Sequence, residues 1–136
     1  MIDALVLTRM LHAVDARDFA TARASFADEV HADYTSLWGG EAATVSGDVL
    51  IAGFRGIIPG FDATQHLTGP VITVDGRLET HVAAHHWLDG EVWVVHGHYV
   101  ATVAGGKITG LTLVLHQQTG NLDLPARARA RAAEAA

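Results

Sequence analysis

"LETHVAAHHWLDGEVWVVHGHYVATV", residues Leu78–Val103, reads as two β-runs folded back on one another at Asp89-Gly90. An Asp-Gly pair between apolar runs is a strong signal for a two-residue hairpin turn. The same punctuation continues on either side. "GPVITVD" precedes it across Asp75-Gly76 and "KITGLTLVLHQQ" follows across Gly105-Gly106, so from Thr68 onward the chain reads as an antiparallel meander of four β-runs. Upstream the period is helical. Ile2, Leu5, Val6, Met10 and Val14 recur at about 3.6 residues, with Asp3 placed to cap the first turn. A second short helix runs from about Asp18 to Phe26, "EVHADYTSLW" alternates as a strand before the loop at Gly39-Gly40, and "SGDVLIAGFRGII" is a third helix capped by Ser46 and ended by Pro59-Gly60. Helices first and strands afterwards is the α+β order. The expected architecture is a curved antiparallel sheet packed on N-terminal helices, a cone-shaped α+β barrel with a pocket inside.

The 136 residues suit one domain, taken as 1–120, followed by an Ala/Arg-rich tail over 121–136. That tail, with Arg127, Arg129 and Arg131 at alternate positions, reads as a frayed helix or loose end, with a pocket lid as the other reading. Mean hydropathy is +0.22, yet no apolar run reaches the roughly 18 to 20 residues of a membrane span. Asp3 and Arg9 interrupt the opening as a signal peptide would not allow, so a cytoplasmic protein is expected. A net charge of −6 argues against nucleic acid or an anionic membrane as partner. With no cysteine, thiolate chemistry and cysteine-ligated metals are excluded. Nine histidines are the unusual feature.

Strand parity sorts them, because residues two apart share a face. Trp93, Val95, Tyr99 and Ala101 form the apolar face of their run, which sends His96 and His98 outward. In the preceding run, Val82, Ala84 and His86 share a face, so His86 looks inward and His81 and His85 outward. His66, in "FDATQHLTGP", taken by itself reads as a satisfied core histidine before it reads as a base. Asp15 in "VDARDF", taken alone, reads first as a cap or as closing the turn between two helices, and Tyr34 could be an ordinary half-buried strand tyrosine.

Taken together, "VDARDFATARASFADEVHADYTSLWGG" and "DATQHLTGP" resemble scytalone dehydratase and the wider SnoaL-like group of the nuclear transport factor 2-like (NTF2-like) superfamily, which also holds polyketide cyclases and ketosteroid-isomerase-like enzymes. The resemblance runs from the first helix to "HQQTGNLDL". It implies Asp15, Tyr34, His66 and His86 as catalytic residues, with His85 the alternative to His86. Two positions depart from the dehydratase pattern: its tyrosine before the helix-end aspartate is Val14, and its asparagine on the penultimate strand is Val103. Scytalone itself is therefore not the expected substrate. Val14, Trp38, Phe54, Ala84, Tyr99 and Val103 make up the expected substrate-contacting wall.

The implied chemistry is a cofactor-independent lyase or isomerase acting on a small, mostly apolar hydroxy-carbonyl or cyclic compound. Asp15 would orient His66 as acid and base, Tyr34 would polarise a carbonyl, and His86 would assist protonation of the leaving group. The alternative is a non-catalytic small-molecule-binding module of the same fold. A metal held by His96 and His98 with His85 or His116 is disfavoured by their outward parity, so no metal or cofactor is expected. Members of the superfamily associate through the outer sheet face, which implies a homodimer or homotrimer here.

Overall fold

The computed structural model describes residues 3–135, so Ile2 lies outside the described residues. The first helix, α1 (Leu5–Asp15), buries Val6, Leu7, Met10, Leu11 and Val14 along one side. The Asp3 carboxylate accepts the Leu5 amide at 2.9 Å, which satisfies one of the free N–H groups of the first turn. At the other end the Asp18 amide donates to Ala13 and the Arg17 amide to Val14, with Arg17 itself at φ 58°. This Schellman closure turns the chain sharply and leaves Asp15 in the last helical turn, facing the sheet. Next, α2 (Phe19–Ala24) is capped by Asp18, which accepts the Thr21 amide. It stops two residues before Phe26, which begins strand β1 (Phe26–Asp33).

The expected strand over "EVHADYTSLW" ends early. Asp33 accepts both the amide and the hydroxyl of Thr35, and this turn starts a single helical turn, α3 (Thr35–Trp38), with Tyr34 at its entrance. Past the glycine pair, β2 (Ala43–Ser46) pairs antiparallel with β1, and Ser46 caps α4 (Gly47–Arg55). A 3₁₀ turn at Ile58–Gly60 then leads into β3 (Ala63–Thr68). The sheet therefore resumes at Ala63, five residues before Thr68. The remaining strands are β4 (Ile72–Val74), β5 (Arg77–Leu88), β6 (Glu91–Ala104) and β7 (Lys107–Gly120). Asp75 and Asp89 take positive φ beside Gly76 and Gly90, the conformation that two-residue hairpins require.

The strand order is β2-β1-β7-β6-β5-β3, with β4 on the edge of β5. The sheet is mixed, because β1 runs parallel to β7. The β1–β2 pair joins the rest of the sheet through this parallel seam, along the edge of β7 that β6 does not cover. The sheet curls around α1 without closing, so the fold is a cone of helices and curved sheet rather than a closed barrel. Its core runs from Leu7 and Met10 through Phe26, Phe61, Trp93 and Leu111.

The tail folds. Residues Leu124–Ala135 form α5, and Leu124, Ala128 and Ala132, four apart, bury one stripe of it. Gly60 permits the contact: a Cβ there would collide with the Ala128 carbonyl. On the open side Arg127 pairs with Glu91 at 3.2 Å and Arg131 with Asp62 at 3.1 Å. No helix among the described residues is long and apolar enough to cross a membrane.

Candidate active site

Inside the cone lies a cavity of about 90 Å³. Its wall is apolar, built from Met10, Leu11 and Val14 of α1 on one side and Ala84, Val95 and Leu113 of the sheet on the other. Four polar side chains interrupt it: Tyr34, His66, His86 and Tyr99.

His66 is placed by register. It lies opposite Ala84 on β5, two residues along from the Thr64–His86 pair, so both imidazoles point to the concave face with ring centroids 6.1 Å apart. The edge of β3 faces the end of α1, and Asp15 spans the gap with both carboxylate oxygens. Oδ2 accepts the His66 backbone amide at 2.7 Å; Oδ1 accepts the Thr64 hydroxyl at 2.9 Å and lies 2.7 Å from His66 Nδ1. Burial alone would raise the Asp15 carboxyl, but the His66 and Thr64 hydrogen bonds outweigh it and hold the group below the usual carboxylate range. An ionised Asp15 can only accept, so Nδ1 of His66 carries a proton, and Nε2 is left as the ring nitrogen for a ligand in the cavity that His66 lines. The His66 side chain is 7 % exposed and that of Asp15 17 %.

His86 is held differently. Its Nδ1 donates to the Trp93 carbonyl at 3.0 Å, and its ring packs against both Trp93, at 4.3 Å, and Phe61, at 4.9 Å. Burial in that aromatic slot, reinforced by the nearby His66, pulls its pKa down to about 4. His86 is therefore neutral near pH 7 and offers Nε2 as an acceptor. The expected role in protonating a leaving group does not suit it; it can receive a hydrogen bond from a substrate hydroxyl. His85, on the opposite face, stacks on Trp87 away from the cavity.

Tyr34 and Tyr99 meet across the cavity with their oxygens 3.4 Å apart. Burial pushes both phenols up, Tyr34 well above its ordinary value, so both stay protonated. At that separation their mutual bond is weak, which leaves one hydroxyl to donate to a ligand oxygen.

Of the expected wall residues, Val14, Trp38, Phe54, Ala84 and Tyr99 border the cavity. Val103 does not. It is paired with Ile108 near the far end of β6 and packs half-buried against the core there. Two supporting residues escaped sequence reasoning. Thr64 could have been found from its parity with His66, whereas nothing local marks Arg17, which donates to the carbonyls of Ile58 and Phe61 and ties the α1 turn to the start of β3. Among the described residues no three His, Asp or Glu side chains are disposed to hold a metal ion. His96 bonds Thr119, and His98 and His116 bond each other on the outer face.

A sequence profile of the SnoaL-like domain matches residues 4–121. By shape the chain is similar to the Kfla4162 protein of Kribbella flavida, at 25% identity and a TM-score of 0.74 over 91% of this chain and 92% of that one. It is similar to the Δ5-3-ketosteroid isomerase of Mycobacterium sp., at 16% identity and TM-score 0.71, covering 85% and 95%. A computationally designed 17-OHP binder also shares the fold, at 16% identity and TM-score 0.71, covering 90% and 99%. No curated protein matches the chain by sequence.

Proposed function

Residues 4–121 make this chain a member of the SnoaL-like family, and from that premise we propose that it is a cofactor-independent acid–base enzyme, a lyase or isomerase acting on a small, mostly apolar hydroxy-carbonyl or cyclic compound. One observation carries the reading: a buried imidazole whose Nδ1–H is fixed by an ionised, triply bonded Asp15, with Nε2 left for a ligand in the apolar cavity that His66 lines. Nε2 of His66 removes a proton from the carbon beside the carbonyl, and Asp15 stabilises the imidazolium that results. The electron pair moves onto the carbonyl oxygen, where the Tyr34 hydroxyl, backed by Tyr99, donates a hydrogen bond to the developing charge. His86 Nε2 accepts from a substrate hydroxyl and fixes the ring. Return of the proton from His66 at a different carbon completes an isomerisation; its delivery to a departing hydroxyl, released as water, completes a dehydration.

The first chemical step can be tested without knowing the second. In D₂O the protein should exchange the α-protons of small cyclic ketones, followed by loss of their proton NMR signals. His66→Ala should slow this by about 10²- to 10⁴-fold, the usual contribution of a positioned base. An unchanged rate in that variant sinks the assignment. The similarity to a designed binder favours one second reading, a non-catalytic module holding an apolar metabolite. That reading predicts ligand binding with no exchange in the wild type. Association of two or three copies through the outer face of β5, β6 and β7 belongs to either reading.

A further inference from the structure

A second hollow of about 380 Å³ adjoins the inner cavity, and the two share Tyr34, Trp38, Phe54 and Ile57 in their walls. The outer hollow takes one residue from the C-terminal helix: Arg129. Its neighbours on α5 are committed. Arg127 pairs with Glu91 and Asp89, and Arg131 with Asp62. Among the described residues Arg129 has no carboxylate partner. Its guanidinium lies 4.6 Å over the Trp38 ring, and Trp38 in turn lies 5.9 Å from Trp93, the ring that borders His86. A continuous aromatic wall thus leads from the two histidines to one guanidinium. Glu41 stands on the same outer wall, exposed and unpaired with Arg129.

A guanidinium stacked on an indole keeps its in-plane N–H groups free, and those match a carboxylate in a two-point fork. In a chain with net charge −6, a cation left without a partner at the mouth of an apolar cavity is a local exception to the prevailing charge. We propose that the outer hollow is a carboxylate-binding subsite and that the substrate is a flat, apolar molecule bearing a carboxylate, its ring inserted past Trp38 and its acid group held by Arg129. The substrate class rests on reading His66 as the base, whereas the binding of the acid group does not.

The test is binding, read by tryptophan fluorescence or calorimetry, of 2-naphthoate against the neutral 2-naphthamide of the same shape. The wild type should bind the carboxylate about tenfold tighter, as expected for one charge-assisted contact. Arg129→Gln should abolish that preference while leaving naphthamide affinity within about twofold, Arg129→Lys should keep part of it, and Glu41→Gln should strengthen it. Equal affinity of the two ligands for the wild type, no binding of either, or an equal loss of both in Arg129→Gln with α5 still folded by circular dichroism, would overturn the proposal. His66→Ala separates the two readings: it should lose proton exchange yet keep a preference for naphthoate over naphthamide, whatever happens to the affinity of either. Loss of preference only in the arginine variant upholds the subsite even if proton exchange never appears.

Discussion

Asp15 accepts three hydrogen bonds on two oxygens, and two of its donors belong to His66 itself. Its ionised state therefore stabilises both the position of β3 and the orientation of the imidazole. Asp15→Asn would present an amide N–H where an acceptor is needed, so exchange activity should fall nearly as far as in His66→Ala, while Thr64→Val, which removes one supporting donor, should cost only a few-fold. Rates of the three variants measured side by side check the order. His86 gives a pH signature of its own. Its ordinary pKa of about 6.5 applies in the unfolded chain and about 4 in the fold, so between those values the unfolded state binds the extra proton. Folding stability should therefore hold above pH 6.5 and decline as pH falls toward 4, by up to roughly 3 kcal/mol at 1.36 kcal/mol per unit. Urea titrations at stepwise pH should show that slope, and His86→Gln should flatten it. At this scale the sequence was informative where parity or a family resemblance applied: His86 inward, Asp15 and His66 in matching order. It was silent on Arg17, whose partners lie more than forty residues away, and the resemblance misled on Val103, which matches a position of the dehydratase pattern but lies near the far end of β6, beyond the cavity.

At the level of elements, turn chemistry was the most legible part. Asp-Gly pairs marked the hairpins, and Asp18 and Ser46 cap their helices through the Thr21 and Val49 amides. Parity along β6 held because its two irregularities place the extra residue on the partner: His116 and Thr109 of β7 are the unmatched positions. Tyr34 to Trp38 was read as strand because its apolar residues alternate, whereas the Asp33 side chain bends the chain into a helical turn. The tail was read as a frayed helix or loose end, with a pocket lid as the other reading, because chain termini are usually loosely held; what docks α5 is the spacing of Leu124, Ala128 and Ala132, and small alanines give little periodic contrast. Gly60→Ala should push α5 off its seat. A fall in thermal midpoint with faster proteolysis near residues 121–123 is the expected result, while a Ser46→Ala cap removal should cost about 1 kcal/mol and leave α5 protected.

For the molecule as a whole, α+β class and a concave sheet around α1 followed from the order of periodicities alone, but the mixed topology did not, because pairing between β1 and β7 has no local signature. The outer face shows the same limit. Val92 and Val100 are half-buried on it, Val94 is already covered within the protomer, and imidazoles occupy much of the rest. If copies associate there, sedimentation should show a dimer or trimer that Val100→Glu converts to monomer with unchanged circular dichroism. The parallel seam has a further consequence, for biosynthesis. A ribosome delivers residues 26–33 long before residues 107–120, so the edge of β1 that β2 does not cover must wait for the last strand of the sheet. Nascent chains stalled anywhere before β7 should be sticky and protease-sensitive, and this small protein should depend on chaperones during its synthesis far more than its finished form suggests.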